Sequence, residues 1–106
     1  MTGNGKDKAA FEPNRVTISA GTTVRFINVS GGPHNVAFWP DSIPKGSASM
    51  LNNAMPRHMG NLMSLMMTGA NEPYEITFPA NATKGVYKGY CQPHIRLRMK
   101  FAVTVR

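Results

Sequence analysis

The stretch Tyr90-Cys91-Gln92-Pro93-His94-Ile95-Arg96-Leu97-Arg98-Met99 decides how the rest of this sequence is interpreted. It contains the only cysteine of the chain, a histidine three residues later and a methionine five residues after that. Thiolate, imidazole and thioether groups are ligands for soft or borderline metals, and copper is the metal that this combination favours most. Three ligands from one loop leave a fourth to be supplied by another part of the chain.

Length and composition predict a single domain over residues 1–106. The chain has 106 residues, of which 42% are hydrophobic, so it can bury one core and is too short for two domains. Its single cysteine excludes an internal disulfide. The sequence lacks a run of roughly 18 apolar residues, so we expect no membrane-spanning segment. No signal peptide is visible, which leaves export open.

The charge balance points to an anionic partner. The formal net charge is +7, with 12 lysines and arginines against five acidic residues. An acidic docking partner is one interpretation, and a solvated basic face is the other. Nucleic acid is not expected, because the sequence has no zinc-finger spacing, no RNP-like aromatic strand and no arginine-rich arm. The basic residues after Glu75 have no acidic residue among them, and they are Lys84, Lys88, Arg96, Arg98, Lys100 and Arg106.

Alternating apolar and polar residues predict an all-β fold. Val16–Ser19 and Thr22–Val29 have this alternation, and the short turn at Ala20-Gly21 between them predicts a hairpin. Further strands are expected over Tyr74–Phe78, Gly85–Cys91 and Lys100–Val105. Many short strands separated by turn signals favour a sandwich or a barrel.

One short helical segment is expected near residues 56–68. Four methionines there have the spacing i, i+4, i+8 and i+11, which is typical of one face of a helix. Pro56 favours a helix that starts at this residue over one that crosses it. The methionines of this region also suggest a second Cu(I) site, although core packing is the favoured interpretation. They are Met50, Met55, Met59, Met63, Met66 and Met67.

His34 is the candidate for the fourth ligand. It follows the break Ser30-Gly31-Gly32-Pro33 and starts a predicted strand, so its ring can point from a sheet edge toward a loop. Taken singly, such a histidine is usually structural, Cys91 is a small buried hydrophobe and Met99 is a core residue. The specific signal is their combination in one all-β chain.

Four motifs carry a family resemblance: Gly32-Pro33-His34-Asn35-Val36-Ala37-Phe38, Asp41-Ser42-Ile43-Pro44, Tyr90-Cys91-Gln92-Pro93-His94 with Met99, and Val103-Thr104-Val105. From about Phe11 to Arg106 the chain resembles the small blue copper proteins, or cupredoxins, of the plastocyanin and pseudoazurin group. The resemblance implies an all-β Greek-key sandwich of seven to eight strands that holds one type 1 copper ion. It also implies single-electron transfer between larger redox proteins, without enzymatic activity.

The resemblance assigns a role to each site residue. His34, Cys91 and His94 are the expected strong ligands of copper, and Met99 is the expected weak axial ligand. Asn35 is expected to tie the His34 segment to the Cys91 loop by hydrogen bonds. Independently of the resemblance, the fixed ring of Pro93 is expected to limit movement of the loop when copper changes its oxidation state. The expected electron port and docking surface consists of His94, Ile95, Arg96, Leu97 and Arg98.

Several positions depart from the family pattern. The residues from Ile95 to Arg98 are bulkier than the small loop that is usual there. Gly89 replaces a common aromatic residue, and Phe101 stands where glycine is common. Phe101, Trp39 or a methionine is therefore expected to fill the space at Gly89.

Alternative functions involve the same loop. The main alternative is a periplasmic copper-binding carrier or chaperone. A zinc site is a further interpretation of the ligands. A Cys91–His94 nucleophilic pair is disfavoured because no acidic residue follows Glu75 to orient it.

We expect the protein to be a monomer in the periplasm or another exported compartment, with its signal peptide removed. Its expected redox partners have acidic docking surfaces.

Overall fold

Short strands dominate the computed structural model, which describes residues 1–4 and 7–106. One α-helix, α1, spans Ala48–Ala54, and 3-10 turns lie at Pro40–Ser42 and Gln92–Leu97. No helix in these residues has the length and apolar character that crossing a membrane requires. The strands are β1 (Thr2–Gly3), β2 (Ala9–Ala10), β3 (Arg15–Ile18), β4 (Thr23–Asn28), β5 (Ala37–Phe38), β6 (His58–Gly60), β7 (Met63–Ser64), β8 (Glu72–Thr77), β9 (Gly85–Tyr90) and β10 (Lys100–Val105).

The strands form two main sheets. The larger sheet has the order β3-β10-β9-β5-β7-β6, in which β3 is parallel to β10 and the other pairs are antiparallel. The second sheet pairs β4 with β8, and β1 with β2 form a small N-terminal hairpin. Strands β9 and β10 are paired over their whole length, from Lys100 opposite Tyr90 to Val105 opposite Gly85. This register places the loop between them at one end of the sandwich.

The core lies between the sheets and follows the alternation of the strands. Along β10, Phe101, Val103 and Val105 are buried while Lys100 is exposed, and along β8, Tyr74 and Ile76 are buried. Burying each such side chain contributes about 1.5–3 kcal/mol to folding. The predicted all-β sandwich with one short helix is therefore confirmed. The strand count is higher than the expected seven to eight, because the described residues form ten strands, four of them only two residues long.

The predicted hairpin between β3 and β4 is wrong. Val16 of β3 pairs with Val103 in the larger sheet, whereas Val24 of β4 pairs with Ile76 in the second sheet. The turn itself is present, since Gly21 has a φ of +89° and Thr22 donates a hydrogen bond to Ser19. It carries the chain from one sheet to the other, because alternation predicts which side of a strand is buried and not which strand lies beside it.

The predicted helix near residues 56–68 is also misplaced. The helix α1 ends at Ala54, before Pro56, and β6 and β7 occupy the predicted segment. Met55 has extended backbone angles, as the residue before a proline favours, and Arg57 has a φ of +47°, so the helix cannot continue. Met55 is buried whereas Met59 is 70% exposed, so the regular methionine spacing does not mark one buried face.

The space at Gly89 is filled by Phe101, which was one of the three candidates. The two residues are directly opposite each other on β9 and β10. A Cβ atom added at Gly89 would overlap the Phe101 ring and the carbonyl oxygen of Ala37. The Phe101 ring packs at 5.2 Å from the ring of Phe38 and at 4.6 Å from that of Phe11. The Phe101 ring thus occupies the space beside Gly89 from the neighbouring strand.

Candidate metal centre

The ligand loop is held by the sheet at both ends. Cys91 directly follows β9 and Met99 directly precedes β10, and the backbone N–H of Cys91 donates to the carbonyl of Met99 at 3.0 Å. This hydrogen bond extends the ladder one step beyond the pair of Lys100 and Tyr90. Two candidate ligands that are eight positions apart in sequence are therefore adjacent in space.

Tight turns shape the loop between these two residues. His94 donates its backbone N–H to Cys91 at 3.2 Å, and Pro93 lies in the first turn of the 3-10 segment. Arg98 has a φ of +59°, a left-handed conformation that is uncommon for a residue with a Cβ atom. Its N–H donates to Ile95 at 3.0 Å. This reversal returns the chain to Met99 at the start of β10.

Three donor side chains meet at the base of the loop. The ligand atoms of His34, Cys91 and His94 all lie within 4.8 Å of one another. The Sγ atom of Cys91 is 3.4 Å from Nδ1 of His94 and 3.7 Å from Nδ1 of His34. Both sulfur–nitrogen distances are shorter than the sum of an ordinary metal–sulfur bond of about 2.3 Å and a metal–nitrogen bond of about 2.0 Å, so one metal ion can bind Cys91 together with either histidine.

The orientation of His34 is set by the segment before it. Its Nε2 atom lies 2.6 Å from the carbonyl oxygen of Ser30. A carbonyl oxygen only accepts hydrogen bonds, so Nε2 must carry the proton and Nδ1 presents its lone pair toward Cys91. The backbone of His34 exchanges two hydrogen bonds with Met67, at 3.1 and 2.8 Å. Sequence reasoning missed Ser30 and Met67, since both act through backbone groups that leave no side-chain signal.

Asn35 connects the two parts of the centre. Its Oδ1 atom accepts a 2.7 Å hydrogen bond from the backbone N–H of Gln92, the residue after Cys91. Asn35 is fully buried, so this acceptor faces no competition from solvent. The His34 segment and the Cys91 loop are therefore linked directly beside the donor atoms.

The centre is closed on most sides. His34, Cys91 and Met99 are fully buried, whereas His94 is partly exposed. Ile95, the next residue, has 39% of its surface exposed, and Arg96 and Arg98 are also exposed. The route from solvent to the donor atoms thus leads past the His94 ring.

Burial favours the neutral form of two of the donor groups, Cys91 and His34. It raises the pKa of the Cys91 thiol, while hydrogen bonds from the backbone N–H groups of Asn35 and His94 act in the opposite direction. Burial also lowers the pKa of His34, the Ser30 carbonyl opposes this, and His94 lowers the pKa further. A metal that binds as a thiolate complex must therefore displace the Cys91 proton, whereas His34 is already in the neutral form that metals bind.

The methionines of residues 50–67 divide between core and surface. Met55 and Met67 are fully buried within the hydrophobic core, and Met59 is exposed. Met50 is partly buried and packs against the same core, so core packing accounts for these three methionines, as the favoured interpretation expects.

Comparisons with known proteins agree with the geometry. The whole chain, residues 1–106, matches the family model described as copper binding proteins, plastocyanin/azurin family. The chain is 37% identical over 95 residues to plastocyanin A/B of Petroselinum crispum, which covers 90% of the chain and 86% of that protein. It is 36% identical over 104 residues to plastocyanin of Scenedesmus fuscus, covering 96% and 94% respectively. The solved structure of oxidized plastocyanin from Dryopteris crassirhizoma superposes with a TM-score of 0.71 and 29% identity, covering 93% of the chain and 90% of that structure.

Proposed function

The chain belongs to the plastocyanin/azurin family of copper-binding proteins, and we propose that its buried donor cluster holds the single copper ion of an electron carrier. The chain is a blue copper electron-transfer protein, similar to plastocyanins over most of its length. The observation that carries the assignment of the centre is the convergence of His34, Cys91 and His94 within 4.8 Å. We take the whole of residues 1–106 as one copper-binding domain.

The proposed ligands match the metal in their chemistry. The Nδ1 atoms of His34 and His94 and the Sγ atom of Cys91 would be the strong ligands of a bound copper ion, and the thioether of Met99 would be its weak ligand. Two imidazoles, a thiolate and a distant thioether form a set that both Cu(I) and Cu(II) accept. When bound, copper supplies a one-electron couple, in which a donor reduces Cu(II) to Cu(I) and an acceptor reoxidises it.

The protein's own part is to keep the ligands in place through both oxidation states. Ser30 orients His34, Asn35 ties the His34 segment to the loop, and the paired ends of β9 and β10 hold Cys91. Pro93 removes one backbone degree of freedom from the loop. A site that is held in this way moves little when the charge on copper changes, so electron transfer proceeds with little rearrangement.

The exposed edge of His94 is the proposed electron port. The surrounding residues Ile95, Arg96, Leu97 and Arg98 form the proposed docking surface, and the exposed arginines give it positive charge. Its partner is therefore a redox protein with an acidic docking surface. The proposed carrier is a monomer without enzymatic activity, located in the periplasm or another exported compartment. Subcellular fractionation of the source cells, followed by detection of the protein, tests this location.

The alternative role as a copper carrier or chaperone is not favoured, because the relatives are electron carriers. The two roles differ in how readily the site releases the ion. An electron carrier holds copper tightly in both oxidation states, so we expect slow transfer to a chelator from both the Cu(I) and the Cu(II) protein. Rapid transfer from either form would favour the chaperone.

The visible spectrum of the copper-loaded protein tests the proposed function. A bond between Cu(II) and the Cys91 thiolate should give an intense blue absorption band, and Cys91→Ala should abolish this band. Met59→Ala is the control, because Met59 is exposed and lies outside the centre. A blue band of full strength in Cys91→Ala would refute the assignment of the site.

A further inference from the structure

We propose that a cationic pocket beside the copper loop, which is the segment from Cys91 to Met99, binds a carboxylate-rich segment of the redox protein partner. The pocket has a volume of about 300 Å³, and its lining includes Arg15, Lys88, Arg98, Lys100 and Trp39. The inference rests on the proposed electron-carrier function, and it specifies where the acidic groups of the partner are received. It extends the docking surface from the His94 port onto the outer face of the larger sheet.

The sheet topology brings these distant residues together. Ala102 of β10 is opposite Lys88 on one side and opposite Arg15 on the other, so both cations are on the same face of three neighbouring strands. Lys100 is two positions before Ala102 and therefore shares that face. The short Ala102 side chain between the cations leaves the floor of the pocket open. Arg98, from the copper loop, closes one end.

The charge of the pocket is uncompensated. All four of its lysines and arginines are exposed, and its lining includes no acidic side chain. The one ion pair in the described residues joins Arg25 to Glu75, both outside this pocket. Four neighbouring cations without a counter-charge repel one another, and an anion that enters among them relieves this repulsion. Carboxylates suit the guanidinium groups of the two arginines, which can donate two parallel hydrogen bonds to one carboxylate.

An aromatic pair gives the pocket a rigid border. The ring of Trp39 stacks on that of Tyr90 with centroids 4.6 Å apart and planes 24° from parallel. Both residues are partly exposed, and Tyr90 is opposite Lys100 in the sheet. Large aromatic side chains beside arginine are typical of the residues that dominate the affinity of protein interfaces. The pocket thus combines charge and an aromatic contact surface, which favours a protein partner over a free anion.

Continuity with the copper loop connects the pocket to electron transfer. Arg98 lines the pocket and also belongs to the docking surface around His94. It directly precedes Met99, and its left-handed backbone is held by the hydrogen bond to Ile95. A partner that places its carboxylates in the pocket is therefore positioned with its adjacent surface over the exposed edge of His94.

The single tryptophan of the chain reports on the pocket directly. We would titrate the Cu(I) protein with a peptide of six glutamates, following Trp39 fluorescence and the backbone amide NMR shifts. The expected result is saturable binding with shifts concentrated at the pocket. Lys88→Gln/Lys100→Gln should weaken binding about tenfold. The matched control is Lys84→Gln/Arg106→Gln, which removes the same charge at the end of β9 and β10 that lies away from the copper loop. It should change the affinity for the peptide less than about twofold.

Several outcomes would overturn the inference. One is an equal loss of peptide affinity in both double variants. The others are amide shifts that spread over the whole surface, an absence of amide shifts, and displacement of the peptide by inorganic phosphate added at the same total charge. Tighter binding of a short DNA duplex in the same pocket would identify a nucleic-acid site instead. The blue band of the unsubstituted protein separates the two proposals. If that band is present and the peptide does not bind, only the docking inference fails, and if the band is absent, the electron-carrier proposal fails.

Discussion

At the scale of single residues, the proposed centre depends on which atom of each donor side chain faces the other donors. The carbonyl of Ser30 holds the Nε2 proton of His34, so its Nδ1 is directed to the centre. Cys91 and Met99 are fully buried, whereas His94 reaches the surface. The proposed electron port at His94 depends on this difference in exposure between the two histidines.

Met99, the proposed weak ligand, gives a residue-scale prediction. Met99→Gln should keep copper bound but lower the reduction potential, because an amide oxygen is a harder ligand than a thioether and stabilises Cu(II) relative to Cu(I). Voltammetry of the copper-loaded protein measures the shift. Met59→Gln makes the same chemical change at an exposed position and should leave the potential unchanged. Equal potentials in the two variants would contradict the assignment of Met99 as a ligand.

At the scale of elements, the contact between β9 and β10 depends on the ring of Phe101, which lies directly opposite Gly89. Gly89 has no room for a side chain beside this ring and the Ala37 carbonyl. The pair is two positions from Cys91, so this packing supports the strand that delivers the thiolate. The Phe101 ring therefore fills the core at a position where the neighbouring strand carries no side chain.

Gly89→Ala should therefore destabilise the protein by about 1–3 kcal/mol, the range typical of overpacking a tight core. The free energy of unfolding in guanidinium chloride measures this. The matched control is Gly60→Ala, because no heavy atom lies within 4 Å of a Cβ at that position. Adding Phe101→Leu to Gly89→Ala should restore only part of the loss, since the Ala37 carbonyl stays in place. Equal stability of the two alanine variants would show that β9 and its neighbours can move apart without a loss in the free energy of unfolding.

The connection between β8 and the turn after α1 gives a pH-dependent prediction. The Tyr74 hydroxyl donates a 2.7 Å hydrogen bond to the Pro56 carbonyl, and burial raises the pKa of Tyr74 from 10.0 to about 12. The unfolded chain therefore loses this proton at lower pH than the folded protein. The stabilisation from Tyr74 is complete below pH 10.0 and is lost as the pH rises toward about 12.

Tyr74→Phe should remove this contribution. The variant should be less stable at neutral pH by about 1 kcal/mol, because the Pro56 carbonyl loses its donor. The loss of stability between pH 10.0 and about 12 should also be smaller than in the unsubstituted protein. Unfolding in denaturant across this pH range measures both effects. An unchanged alkaline slope in the variant would show that Tyr74 does not titrate with unfolding.

At the scale of the whole molecule, the positive charge should control how fast the protein associates with charged reaction partners. The net charge of +7 attracts anions over the distance of a Debye length, about 10 Å at 0.1 M salt. We expect oxidation of the Cu(I) protein by the hexacyanoferrate(III) anion to slow as salt increases. Oxidation by the tris(phenanthroline)cobalt(III) cation should become faster, because salt then screens a repulsion. Stopped-flow rates measure both reactions, and the same salt dependence for the two oxidants would count against electrostatic steering.

The sequence by itself determined the chemistry of the loop and the general class of the fold. Cys91, His94 and Met99 are close in sequence, so their spacing already predicts a soft-metal site, and strand alternation predicts an all-β sandwich. His34 was selected by the break before it and by the family resemblance. These features are local or depend on side-chain type, which is why they are visible without coordinates.

The tertiary structure alone decided the pairing of the elements. Backbone hydrogen bonds between strands do not depend on side-chain identity, so alternation could not show that β3 pairs with β10 while β4 pairs with β8. Similarly, a carbonyl such as that of Ser30 has no sequence signature. The cationic pocket joins residues from Arg15 to Lys100 across three strands. The proposed ligands of the loop were readable in the sequence, whereas the proposed docking surface depends on contacts between residues far apart in the chain.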